Sequence, residues 1–270
     1  MEAFLRSREQ YCVAACAKFL HSHGPKAPKE PKDQAWYLAG PEGTIRAVLL
    51  RFEGMLFPVF ETPCGIPPLN PSFLRRTPVR VVQGLRDDTE LLEAALESLG
   101  CTAEEHRDYD LMGLEKPPEM ESPPLRGLVL RKPDYRDLEE MLPLQAGYEK
   151  EEVIPDYAVF NPLSCLLNLS SNLAHEQNLI ACLDDRIVGK INTNAASFSR
   201  IQIGGVYVLP EYRGLGIGRR MTAAFAGELC KQGRALTLFV NKNNPIAFSI
   251  YAGLGFSVTA DYRISYYSGQ

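Results

Sequence analysis

Apolar positions recur along this chain in two rhythms. At the start, Phe4, Leu5, Tyr11, Cys12, Ala15, Cys16, Phe19 and Leu20 return at steps of three and four, which puts them on one face of a single helix. Between Trp36 and Phe60 the rhythm becomes that of strands: WYLAG, IRAVLLRF and MLFPVF, joined by Pro-Glu-Gly and Glu-Gly turns. Gly43 and Gly54 supply turn conformations there that a Cβ resists. Residues 79–84 (VRVVQG) read as a further strand, Asp87 or Asp88 as the cap of a helix reaching Leu99, and residues 106–114 as a strand.

The second half is more regular. Residues 127–132 form a strand, and Asp134 caps a helix carrying Leu138, Met141 and Leu142 that Pro143 should kink or end. A second helix spans about residues 163–173. NLIACL and RIVGKIN make a hairpin around Asp184-Asp185, and IQIGGVYVL is the next strand. A glycine-rich turn then opens a helix whose buried face carries Ile217, Met221, Ala224, Phe225 and Leu229. ALTLFV (235–240), a helix through Tyr251 and a strand at 263–267 complete the order.

Two proline-rich stretches interrupt these patterns, residues 23–34 and residues 116–124. Proline lacks an amide donor and fixes φ, so both predict loops or stiff linkers. The second is the expected domain boundary, dividing the chain into residues 1–120 and 125–270.

Composition narrows the function classes. With 270 residues, 45% hydrophobic and 23% charged, the chain can bury a core without staples. A net charge of -4 without a basic cluster argues against nucleic acid as a partner, while leaving room for a small anionic ligand. Seven cysteines without a C-x-x-C point to reduced thiols and a cytoplasmic setting. Arg6, Arg8 and Glu9 do not suit a signal peptide, and no apolar run is long enough for a membrane span. Cys12, Cys16, His21 and His23 match no known zinc spacing, so no metal is expected.

The chemistry concentrates in VLPEYRGLGIGRR (208–220). Glycines at a helix start let the backbone approach a ligand, and the unpaired amides with the helix dipole favour phosphate. A dinucleotide fingerprint fails because Arg219 stands where a third glycine belongs, and no P-loop sequence exists. The pattern [RQ]-x-x-G-x-[GA] is met by Arg213, Gly216 and Gly218. Downstream, Asn244, Ala247, Tyr251, Gly255 and Phe256 stand in the order Asn, Ala, Tyr, Gly-Phe. Together these resemble the acetyl-coenzyme A loop and second motif of the GNAT-type N-acetyltransferases, over residues 127–267.

That resemblance implies an α/β fold with a mixed, mostly antiparallel sheet flanked by helices. It also implies acetyl-CoA as co-substrate and direct attack by a primary amine of a small molecule or peptide. Backbone amides of Gly214, Leu215, Gly216, Ile217, Gly218 and Arg219 would hold the pyrophosphate, with Arg213 at the start of the loop. Val206, Tyr207 and Val208 would pair with the pantetheine arm and the acyl carbonyl, and Asn244 and Ala247 would reach the same arm. Tyr251 would be the acid to the leaving thiolate, or else a core tyrosine. A catalytic glutamate on the strand before the loop is missing, since Gln202 or Gly204-Gly205 stands there. Glu149 and Glu152, with Glu151, are the other acceptor-side candidates, although such a run reads first as a solvated charge cluster.

The first half repeats the second half's element order. At the loop position, however, it carries TPCGIPP (62–68), whose prolines remove the amides a pyrophosphate needs. Two tandem GNAT-like domains, the first degenerate, are therefore expected, with an unrelated α+β first domain as the alternative; oligomerisation is left open.

Overall fold

The computed structural model describes residues 1–23, 34–61, 65–67, 69, 78–119 and 125–268. Most of both proline-rich stretches and all but Gly65–Pro67 of the TPCGIPP segment lie outside the described residues. Contacts divide the chain into two units whose segments alternate in sequence. One contains Met1–Met112, Phe239–Asn243 and Val258–Gln270; the other contains Gly113–Leu238 and Asn244–Ser257.

In the first unit, α1 (Glu2–Ser7) and α2 (Val13–His23) are separated by a 3-10 turn at Glu9–Tyr11, so the predicted single helix is broken. Strands β1 (Gln34–Ala39), β2 (Ile45–Phe52) and β3 (Met55–Phe60) form an antiparallel meander. Glu53 and Gly54 both adopt positive φ, the geometry of a two-residue hairpin turn. β4 (Val81–Leu85) then pairs with β3 in parallel, and α3 (Arg86–Glu97) and β5 (Glu105–Leu114) follow. The α3 N-cap is Leu85, which makes no side-chain cap bond. Asp88 turns inward instead: its carboxylate accepts the Phe60 amide at 3.0 Å, and burial raises its pKa to about 6. Leu49, Leu56, Val82, Leu92 and Leu96 form the core between sheet and helix.

The second unit likewise combines an antiparallel run of strands with one parallel strand. β6 (Leu128–Arg131), β7 (Asn178–Leu183), β8 (Arg186–Ala196) and β9 (Arg200–Val208) are antiparallel neighbours, and β10 (Ala235–Asn241) joins β9 in parallel. Asp184 and Asp185, both at positive φ, close the expected β7–β8 hairpin. One face of this sheet is covered by α4 (Leu138–Tyr148) and α5 (Pro162–His175), which bury Met141, Leu144 and Leu169 against Ile180, Cys182, Ile187 and Tyr207. The opposite face meets α6 (Ile217–Cys230), where Met221 lies against Gly189. α7 (Pro245–Ala252) precedes β11 (Ser257–Tyr266), longer than the predicted strand. β11 pairs antiparallel with β4, within the first unit.

Pro143 neither ends nor breaks α4. It sits on the exposed side of the helix, where water can solvate the carbonyl whose amide partner is lost. The helix instead widens after Tyr148 into a π turn, Glu149–Val153. Among the described residues no helix is long and apolar enough to cross a membrane.

Candidate functional site

All the side chains below belong to the second unit. Parallel pairing of β9 with β10 runs from Ala235↔Arg200 to Leu238↔Ile203, but β9 continues to Val208. On its other side β9 pairs with β8 through two register shifts: one lies between Thr193↔Ile203 and Ala195↔Gln202, and the other is a bulge between Asn192↔Gly204 and Lys190↔Tyr207. Leu209 donates to the Val188 carbonyl at 2.9 Å. Antiparallel ladders alternate, so Leu209 and Tyr207 turn their backbone groups toward β8. Val208 turns its groups the other way, at a strand edge beyond the paired register, where its carbonyl accepts from Arg213.

The bulge depends on its two glycines. Gly205 has φ +60, and a Cβ there would stand 1.9 Å from Asn192 Oδ1 and 2.8 Å from Lys190 Nζ. A Cβ on Gly204 would stand 2.0 Å from Asn194 Nδ2. Lys190 is buried, donating to the Gly205 carbonyl at 3.0 Å and to Asn192 Oδ1 at 3.1 Å, with its ammonium 4.8 Å from the Tyr148 ring centroid. Burial lowers its pKa to about 7, against an opposing pull from Glu149.

After β9, a 3-10 turn (Pro210–Tyr212) leads to Arg213 and the glycines. Gly214 (φ +82) would give a Cβ open space, and Gly216 (φ +72) is the α6 N-cap without a side-chain cap. The first-turn amides of α6 therefore lack both an intrahelical and a side-chain acceptor, as an anion site requires. Residues 213–216 are exposed, Ile217 is buried, and Gly218 is half-buried near Val208. This cradle suits a phosphate or another small anion.

The arginines are placed differently from one another. Arg213 folds back: it donates to both Glu151 oxygens (3.1 and 2.9 Å) and to the Val208 carbonyl (3.1 Å), over the Tyr207 ring. Its guanidinium pins the loop to the strand end. Arg219 donates to the Gly253 carbonyl at 3.1 Å, tying α6 to the end of α7. Arg220 instead bonds the Leu215 and Gly216 carbonyls at 3.2 Å and so lies at the loop.

The π turn fans three glutamates apart, so the run is not a solvated cluster. Glu149 is buried and accepts from Gln145 (2.8 Å) and Asn168 (3.0 Å). Glu151 accepts from the Tyr207 hydroxyl at 2.6 Å as well as from Arg213. Glu152 accepts from Asn244 Nδ2 at 3.3 Å. Asn244 also caps α7, its Oδ1 accepting the half-buried Ala247 amide at 3.0 Å. The Tyr251 ring is buried, packed edge-on against Phe256. Burial, then Tyr148 and Glu152, hold its pKa well above the usual phenol range. Gln202 is buried on β9 with Oε1 unpartnered, beside Thr237, and stands apart from this convergence.

Tyr251, Tyr148, Glu152 and Asn244 are thus brought together. Sequence reasoning missed Lys190, Tyr148 and Gly147. At Gly147 a Cβ would stand 2.4 Å from the Tyr207 hydroxyl, so that glycine lets Tyr207 reach Glu151. The polar alternation Lys190, Asn192, Asn194 within a buried strand was the available signal.

Residues 138–256 match the model of the acetyltransferase (GNAT) family. Similar solved structures include a Drosophila protein (16% identity, 87% of this chain and 79% of that one, TM-score 0.62). Others are GCN5-related N-acetyltransferases from Kribbella flavida (16%, 95% and 95%, 0.57) and Sphaerobacter thermophilus (18%, 97% and 94%, 0.55). At these identities the likeness is one of fold. No curated protein matches the sequence.

Proposed function

We propose that this chain, whose residues 138–256 match the model of the GNAT acetyltransferase family, moves an acetyl group from acetyl-CoA to a primary amine, by direct attack in a ternary complex. The observation that carries the reading is the uncapped, doubly left-handed glycine turn opening α6 beside the free edge of β9. Amides of residues 214–219 hold the pyrophosphate, and the groups of residues 206–208 that face away from β8 take the pantetheine arm and acyl carbonyl. A backbone N–H aimed at that oxygen stabilises the charge developing on attack.

Tyr251 donates to the departing thiolate. Its raised pKa keeps the proton available at neutral pH. Glu152 accepts from Asn244 Nδ2 and stands near Tyr251, where as general base it takes the proton of the acceptor's ammonium. The first unit, with prolines at the loop position, is a silent GNAT-like partner that binds no second cofactor.

Thermal shift with acetyl-CoA, followed by free-thiol release over a panel of small amines and peptides, tests this. A shift with thiol release dependent on one amine class supports it. No shift refutes it; a shift without release from any amine points to an acyl-CoA sensor.

A further inference from the structure

Lys190, Asn192 and Asn194 form a polar row on β8, and among the described residues no partner of opposite charge is in hydrogen-bond contact with the Lys190 ammonium. Burying an amine without one is costly, and a methionine would fill the same space at less cost. The ammonium reaches two acceptors, one of them the Gly205 carbonyl at the bulge. A trans peptide sets its C=O and N–H in opposite directions. A carbonyl held toward β8 by Lys190 therefore sends the Val206 N–H out from the strand edge, where the acyl group is placed above.

Resting on the acetyl-transfer reading, we propose that Lys190 is a positioning residue for acyl transfer: its ammonium fixes and polarises the Gly205–Val206 peptide, strengthening the Val206 N–H as donor to the thioester carbonyl. Two consequences separate this from space-filling. A charged donor on a carbonyl strengthens the opposite N–H through the shared peptide, so the effect appears on the bound carbonyl itself. It also depends on charge, since a charge-assisted bond is about twice as strong as a neutral one. Asn192, held by Lys190 and in turn donating to Asn194 Oδ1 at 3.0 Å, keeps the ammonium on the carbonyl.

The test uses the full chain with acetyl-CoA carrying a ¹³C carbonyl, so no acceptor need be known. Infrared difference spectra give the carbonyl shift on binding. Wild type should show a downward shift, and Lys190→Met should lose at least half of it with the acetyl-CoA Kd changed less than about threefold. Lys190→Gln, which keeps a neutral donor, should lose a smaller part, and it carries the test if the methionine chain does not fold. A wild-type carbonyl frequency in whichever variants fold overturns the inference while leaving acetyl-CoA binding intact. Loss of the shift together with a tenfold loss of affinity also overturns it, because Lys190 would then be holding the strand as a whole. Failure of wild type to bind acetyl-CoA instead sinks the reading on which it rests.

Discussion

Replacing Lys190 by methionine should change how stability depends on pH, in a direction set by burial. The ammonium is fully enclosed, and its pKa falls from 10.5 to about 7. The unfolded chain therefore holds this proton more tightly than the folded one, so wild-type stability rises as pH climbs between the two values. At 1.36 kcal/mol per unit, the full penalty below pH 7 is on the order of 5 kcal/mol. Between pH 7 and 9 wild type should recover about 2 kcal/mol of it, and below about pH 6 the term is constant. Lys190→Met removes the titration. It also leaves Asn192 Oδ1 and the Gly205 carbonyl without this donor, at about 1–3 kcal/mol each, but that cost does not vary with pH. The groups facing the ammonium, Tyr148 and Glu149 from the α4 end and Cys165 from α5, are common to both proteins and cancel to first order. Urea unfolding of both chains, at half-unit steps from pH 5.5 to 9, gives the difference directly. Its slope, not its intercept, carries the result. A difference that stays flat from pH 7 to 9 would show the lysine charged throughout, and the burial argument would fail.

Gly218→Asp should abolish the acetyl-CoA thermal shift without unfolding the chain, because its Cβ meets only Val208 at 3.7 Å and an acid in a helix first turn is favourable. Retained cofactor affinity in that variant would refute the loop assignment. Tyr251→Phe should lower turnover by about 10²-fold with little change in acetyl-CoA Kd, and the wild-type alkaline limb should lie above the ordinary tyrosine range; an unchanged rate returns Tyr251 to the core. Gly147→Ala gains helix propensity yet should cost about 1–3 kcal/mol net in chemical denaturation, since Tyr207 must move; a stabilised variant contradicts the packing. Calorimetry should give one acetyl-CoA site per chain, and two equivalent sites would contradict a silent first unit.

Local signals were the legible ones. The Asp184-Asp185 hairpin, the Asn244 cap and the glycine turn each announce themselves within a few residues, because turn and cap chemistry is fixed by the residues that make it. Charges were harder. Glu149, Glu151 and Glu152 look alike in sequence, and only a π turn, which no short pattern encodes, gives each a different neighbour. Asp88 looked like a cap and is a buried acceptor, because the Phe60 amide approaches from a distant strand. Lys190 escaped notice since hydrophobic alternation hides a polar residue whose partners lie on the next strand. Pro143 misled through a rule that holds in a buried helix interior but weakens at a solvated face.

The pairing of β11 with β4 bears on how such a chain can be made and divided. A strand beside β4 is supplied by residues 257–266, so a growing polypeptide that has finished residues 1–119 still displays an unsatisfied strand edge. Such edges invite pairing with other chains. That edge stays open while residues 120–256, including the whole glycine-rich loop, are being synthesised. Scission within residues 116–124 would then yield two fragments, one wanting a strand and the other carrying a surplus one, rather than two independent domains. Exchange of functional halves between relatives of this architecture has to move β11 with β4, or leave both products with an open seam.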